Sequence, residues 1–322
     1  MLPEPKIISN ALELISQQPA ELIAIVGPTA TGKTDLALAL AKQLGLEIIN
    51  ADSRVIYRDM NIGTAKPNAL ELSAAKHHLV DIKSPLEKYS AAEYQRDFDS
   101  TVIARSVATK QSINSDGLLR CARNDQPRAI VVGGTGLYLR AALEDLDMPG
   151  IAVDEELRSR IRKQFEAEGL QPLVDELLSM DAEASGLVDL KNHVRVMRAL
   201  ESVILSGKSL AQLRRKLDKH RYDVVYIGLN YNDRDQLYAG IDSRVHKMIE
   251  LGLEAELRDL LAKYGEAEIF SSTIGYAEML DYIRGDLTKD QMIASIQQAT
   301  RNYAKRQITW FKSNKRINWL YK

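Results

Sequence analysis

The chain has 322 residues, 45% hydrophobic and 27% charged, with 43 Lys and Arg against 44 Asp and Glu and a formal net charge of −1. Its length calls for one large or two unequal domains, and its apolar content with interspersed charges fits a folded chain, not a disordered one. No run approaches the roughly 18 apolar residues of a membrane helix, the opening MLPEPKIISN lacks a signal pattern, and the single Cys121 allows neither an intrachain disulfide nor a Cys-based metal site, so a cytoplasmic protein without membrane contact is expected.

Residues 1–20 read as an N-terminal extension whose role the sequence leaves open. Apolar, β-rich runs at Leu22–Val26, Glu47–Ala51, Ala129–Val132 and Val224–Leu229 predict strands, and Asp35–Leu44 and Ala91–Thr101 between them predict helices. Strand, helix, strand in alternation implies an α/β fold with a parallel sheet covered on both faces. Residues 103–127 are polar and turn-rich, and are expected to be an irregular inserted loop, solvent-exposed, with no catalytic role for Cys121. From Asp154 to about Leu210 apolar positions recur at helical spacing, as in Leu157, Ile161 and Phe165 or Val194, Met197, Leu200 and Ile204. This predicts a helical insertion domain over 148–219, dividing a core made of 21–147 and 220–322. Amphipathic helices from about Arg234 are expected to finish the chain.

The near-neutral charge conceals a partition. Arg301 to Lys322 carry seven basic residues and no acidic one; without them 36 basic residues face 44 acidic ones, a charge of −8. Trp310 and Trp319 lie in the same segment. Aromatic rings interleaved with Lys and Arg suit single-stranded nucleic acid, although a solvated helix whose tryptophans pack on a core has the same pattern.

The strongest local signal is Gly27-Pro28-Thr29-Ala30-Thr31-Gly32-Lys33-Thr34, which satisfies G-x-x-x-x-G-K-[ST] between a predicted strand and a predicted helix. In such a loop, backbone N–H groups and a helix N-terminus surround phosphate oxygens, Lys33 reaches the terminal ones and the Thr34 hydroxyl can hold Mg²⁺. The ligand is a di- or triphosphate, and the loop alone leaves open which. The strand at Ala129–Val132 ends in Gly133-Gly134-Thr135-Gly136 without an acid, whereas Asp52 follows the strand at Glu47–Ala51. Asp52 can be a Mg²⁺ ligand, a general base or a helix N-cap. His77-His78 without further ligands make a poor metal site and read as structural.

Together these residues resemble the bacterial-type tRNA dimethylallyltransferases, also called tRNA isopentenyltransferases (IPP transferases). The matching segments are GPTATGKT (27–34), INADSRVIYRDMNIGTAKP (49–67), HHLVDI (77–82), YSAAEY (89–94), VVGGTGLYLRAAL (131–143), NHVRVMRALE (192–201), TIGYAEM (273–279) and TRNYAKRQITWFK (300–312). The resemblance implies a P-loop, nucleotide-kinase-like core with a helical tRNA-binding insertion domain. It also implies transfer of a dimethylallyl group from dimethylallyl diphosphate to N6 of adenosine 37 of tRNA, with Mg²⁺. By this resemblance Asp52, Lys33 and Thr135 are catalytic, and Gly27 to Thr34 with Arg244 bind the diphosphate. Asp52, Ser53, Arg54, Val55, Thr135, Arg158, Val194, Arg195, Val196, Met197, Arg198, Ser272, Thr273, Ile274, Gly275, Tyr276, Lys305, Arg306 and Gln307 then face tRNA. A monomer is expected. Val55 departs from the family's usual Gln, and the connection from Asp97 to Val131 is longer than usual. An ATP-dependent small-molecule or nucleoside kinase, or an RNA-binding module with a vestigial phosphate loop, remain as alternatives.

Overall fold

The computed structural model describes residues 4–110, 127–144, 154–213 and 221–322. The chain forms two compact units, one of residues 1–144 with 221–322 and one of residues 145–220. The first unit contains strands β1 (Leu22–Val26), β2 (Glu47–Asn50), β3 (His77–His78), β4 (Ala129–Val132), β5 (Val224–Asn230) and β6 (Ile317–Tyr321). Numbering only helices of eight residues or more, it also contains α1 (Pro5–Gln17), α2 (Lys33–Leu44), α3 (Ala91–Lys110) and α4 (Gly136–Leu143). The helical unit contributes α5 (Glu155–Glu168), α6 (Gln171–Met180) and α7 (His193–Ser206), and the first unit resumes with α8 (Arg234–Glu250), α9 (Leu253–Tyr264), α10 (Tyr276–Arg284) and α11 (Lys289–Lys312).

The six strands form one sheet in the order β3-β2-β4-β1-β5-β6, with every pairing parallel. In β1, Leu22 pairs with Ala129 on one side and Val224 on the other, and all five of its residues are buried. A strand buried on both faces cannot alternate polar and apolar residues, which is why LIAIV and AIVV read as unbroken apolar runs. On one face Ile23, Ile25, Ile130, Val132 and Ile227 pack with Leu36 and Leu40 of α2. A second core joins α8 to α11 through Val245, Leu257, Met279, Met292 and Ile296, and reaches Ile56 and Met60 in the connection after β2.

The N-terminal extension, whose role the sequence leaves open, contributes to the sheet core: Ile7 and Ala11 of α1 are buried there with Ile23, Leu40 and Leu320 nearby. Two expectations change. Residues 103–110, expected to be irregular, continue α3; residues 111–126, with Cys121, lie outside the described residues. The chain also does not finish in helices. After α11, Ile317–Tyr321 pair with Tyr226–Asn230 and extend the sheet, because the short apolar run INWLY completes the exposed edge of β5.

In the helical unit, Ile161, Leu173, Leu177, Val196, Leu200 and Val203 form a separate apolar core. Asp154 caps α5 at Leu157 N and Asn192 caps α7 at Arg195 N, as short polar side chains do at orphan helix donors.

Candidate active site

At the end of β1 the backbone must pass the neighbouring strand closely: Gly27 has φ 139°, and a Cβ there would overlap the carbonyl of Leu229 in β5. The loop then closes on itself. Thr31 Oγ1 and Lys33 Nζ both donate to the Pro28 carbonyl, at 3.0 and 2.6 Å, and Thr29 N donates to Gln307 Oε1 at 2.9 Å. Gln307 Nε2 donates in turn to Gly134 O at 2.9 Å, so one buried amide from α11 links the loops after β1 and β4. Lys33 and Thr34, in the first turn of α2, line a cavity of about 350 Å³ together with Arg244 from α8 and Asp52. A second cavity, of about 760 Å³, shares Lys33, Thr34 and Arg244 with it.

Two cations, Lys33 and Arg244, stand at one buried wall. Burial, then the neighbouring Arg244, pull the Lys33 ammonium down to about 7, with Asp52 opposing. Burial likewise lowers Arg244 from its ordinary value, again opposed by Asp52. Such a wall, at a helix N-terminus, is arranged to receive a polyanion.

Asp52 is fixed by a short polar turn at the carboxyl end of β2. Its N–H donates to Asn50 Oδ1 at 3.1 Å, Asn50 Nδ2 donates to the carbonyls of Asp52 and Leu79 at 3.0 Å each, and Arg54 N donates to Asp52 Oδ1 at 2.8 Å. Ser53 N donates to Thr135 Oγ1 at 3.0 Å, which places Thr135, after β4, beside the same turn. The arrangement thus gathers its polar groups where parallel α/β sheets build sites, beyond the carboxyl ends of the strands. The Arg54 guanidinium donates to Ser272 O at 3.0 Å and ties this turn to the segment before α10.

The structure brings Thr29, Lys33, Thr34, Asp52, Ser53, Arg54, Val55, Arg244, Ser272, Thr273, Ile274, Arg306 and Gln307 to one cavity. Thr135 joins it through Ser53, and Lys305 is exposed on α11. Several residues expected to face tRNA expose little or none of their side chain. Tyr276 is 0% exposed and its hydroxyl donates to Glu256 Oε1 at 2.6 Å, Thr273 donates to Ile269 O, and Val196 is a core residue of the helical unit. An apolar or hydrogen-bonded side chain at those positions serves packing, while its neighbours on the helix carry the surface. Met197 is partly buried against the same helical core, whereas Val194, Arg195 and Arg198 are exposed. Arg158 and Arg198 both bind Glu201, at 2.5 and 3.0 Å, so Glu201 sets the direction of two guanidinium groups.

Two site residues escaped the sequence reading. Tyr303 of α11 lines the cavity beside Thr135, and burial followed by the Asp52 charge pushes its hydroxyl up to about 12. Its signal was the four-residue step to Gln307 on the same helix face. Glu256 of α9 accepts from the backbone N–H groups of Asn61, Ile62 and Gly63 as well as from Tyr276. Nothing in LEAELRD announces that role. The histidines lie on β3, with His78 Nε2 2.6 Å from Glu47 Oε2 and His77 Nδ1 2.8 Å from Ala75 O. No cluster of three His, Cys, Asp or Glu suited to a metal occurs among the described residues. Thr34 brings one hydroxyl to the cavity, a single protein donor of the kind that suits a hard cation bound mainly through substrate oxygens.

The profile of the IPP transferase family matches residues 55–314. A tRNA dimethylallyltransferase of Symbiobacterium thermophilum is 39% identical over 300 residues, covering 93% of this chain and 88% of the relative. Another, from Halalkalibacterium halodurans, is 38% identical over 93% of this chain and 90% of its own length. The crystal structure of a full-length tRNA isopentenylpyrophosphate transferase from Bacillus halodurans has 36% identity and a TM-score of 0.62, covering 94% of this chain and 89% of that one. A eukaryotic dimethylallyltransferase acting on tRNA superposes with a TM-score of 0.73 at 23% identity, over 93% of this chain and 73% of that one, a likeness of fold. By the family profile and these relatives, this chain, with its phosphate loop and parallel sheet, belongs to the IPP transferase family.

Proposed function

We propose that the protein transfers a dimethylallyl group from dimethylallyl diphosphate to N6 of adenosine 37 of tRNA, giving N6-(dimethylallyl)adenosine. The observation that carries this reading is that Lys33 and Arg244, suited to a diphosphate, share one cavity with the Asp52 carboxylate. A kinase can use both features as well; the relatives named tRNA dimethylallyltransferase are what favour prenyl transfer to an exocyclic amine. The allylic carbon–oxygen bond breaks with its electron pair leaving on the diphosphate, and a carbon–nitrogen bond forms to N6. The proton displaced from nitrogen passes to Asp52, whose orientation Arg54 N and Asn50 hold. Lys33 and Arg244 stabilise charge growing on the departing oxygens. Thr135 sits beside Ser53, where it can orient the target amine. Mg²⁺, held by Thr34 and substrate oxygens, would supply further charge neutralisation to the leaving group.

The base must leave its stack to enter such a cavity. Arg54, Ser272 and Ile274 at its lining and Lys305 and Arg306 on α11 supply polar and basic groups for the RNA around it. In the helical unit, the exposed Arg195 and Arg198 and the Glu201-bound Arg158 serve the same substrate. Incubation with dimethylallyl diphosphate, Mg²⁺ and unmodified tRNA, followed by nucleoside mass analysis, tests the reading. The expected product is N6-(dimethylallyl)adenosine; ATP consumption without it would establish the kinase alternative.

A further inference from the structure

The basic C-terminal segment holds both tryptophans, and the fold separates them. Trp319 lies in β6 with its ring over Gly228 of β5, where a Cβ would crowd the ring, and 6.4 Å from the Tyr321 ring. It belongs to the sheet. Trp310 lies on α11 and remains 42% exposed.

Tyr303, Arg306, Gln307 and Trp310 follow the i, i+3, i+4, i+7 spacing of one helix face. That face runs along the loop after β4: Gln307 binds Gly134 O, Tyr303 lies beside Thr135, and the Trp310 indole rests on Gly136. A Cβ at Gly136 would overlap the indole ring, so the absence of a side chain there is what seats it. The next residue on α4, Leu137, is also 44% exposed. A large aromatic ring is therefore held against rigid backbone one residue beyond Thr135, with much of its surface in water.

The surroundings identify the occupant. Lys305, Arg306, Thr309 and Lys312 are exposed on the same stretch of α11, and the sequence from Arg301 to Lys322 contains no acid. Cations framing an exposed indole match RNA, whose phosphates meet the charges while a base covers the ring. When one nucleotide leaves its stack to enter a cavity, its neighbours lose a stacking partner. We propose that Trp310 replaces that partner: it is a stacking platform for an unpaired tRNA base adjacent to the one that enters the cavity. The proposal rests on the tRNA reading above.

The test uses the full chain carrying Trp319→Phe, in which Trp310 is the single tryptophan. Adding unmodified tRNA is expected to quench its emission, saturating at the concentrations that saturate binding measured by filter retention. Trp310→Ala in the otherwise unaltered chain is expected to weaken tRNA binding about tenfold or more, with Trp310→Phe recovering most of the loss. The salt dependence of binding should keep its slope in Trp310→Ala and flatten in Lys305→Ala, since only the second removes a phosphate partner. Product formation with unchanged Trp310 emission on tRNA binding overturns the platform and leaves the transferase reading intact. Equal tRNA affinity of Trp310→Ala and the parent also overturns the platform, and assigns the exposed ring to some other surface role. Absence of both tRNA binding and product by the parent chain overturns the tRNA reading, and the platform with it.

Discussion

Replacing Lys33 by Arg separates charge from titration at the phosphate loop. Burial and Arg244 bring the Lys33 ammonium down to about 7 in the ligand-free site. A diphosphate against it adds negative charge and returns its pKa toward the ordinary value of about 10.4. The complex then holds more protons than the free site, so affinity is greatest below pH 7 and falls as pH rises from 7 toward the bound value. With those two pKa values, binding takes up about 0.9 proton at pH 8 and about 0.1 at pH 6, and the dissociation constant rises about tenfold between them. Calorimetric titration with inorganic diphosphate and Mg²⁺, in buffers of different ionisation enthalpy, measures that uptake. Arginine stays charged throughout, so Lys33→Arg exchanges only the protons that belong to the ligand, and the difference between the two proteins isolates the lysine. Equal uptake by both at pH 8 would refute the reasoning.

Asp52→Asn keeps an acceptor for Arg54 N but removes the base; single-turnover transfer should slow at least about 10²-fold with tRNA affinity retained, and unchanged turnover would dismiss Asp52 as base. Glu256→Gln replaces a carboxylate that meets three consecutive N–H groups and Tyr276. It should cost about 1–3 kcal/mol in urea unfolding and lower turnover, because Gly63 to Ala65 line the cavity; full activity would show that the wall holds itself. Ile7→Ala should cost about 2–5 kcal/mol, since Ile7 is 3% exposed in the sheet core. A loss near zero would return α1 to the status of an appendage.

The phosphate loop and four strands were legible because their residues leave no other reading: LIAIV must be buried on both faces, and GPTATGKT has one common structural use. Asp52 was legible as a candidate from its place after a strand, but its turn depends on Asn50 and Leu79, whose contacts span nearly thirty residues of sequence. β3 escaped because two histidines carry no strand signature. β6 escaped because its five residues stand in a basic segment that reads as the continuation of a helix. α1 was passed over although Ile7, Ile8, Ala11, Leu12 and Ile15 fall at helical spacing; without a partner surface in view, an amphipathic segment before a phosphate loop has no assigned place. Glu256 was illegible for a different reason: three of its four partners are backbone N–H groups, which no side-chain pattern reveals.

The strand order has a consequence for how the protein is made. β1 lies inside the sheet, and both of its neighbours come later in the chain: Leu22 waits for Ala129 on one side and for Val224 on the other. The phosphate loop that β1 carries is braced by Leu229 and by Gln307, later still. As the chain emerges from the ribosome, an early segment that is entirely apolar stands without its sheet until most of the polypeptide has followed. Distant pairings of this kind fold slowly and leave unpaired strands open to aggregation in the interval. The helical unit, with its own core, can settle first, so the segment with the clearest sequence signature is among the last to acquire its final shape.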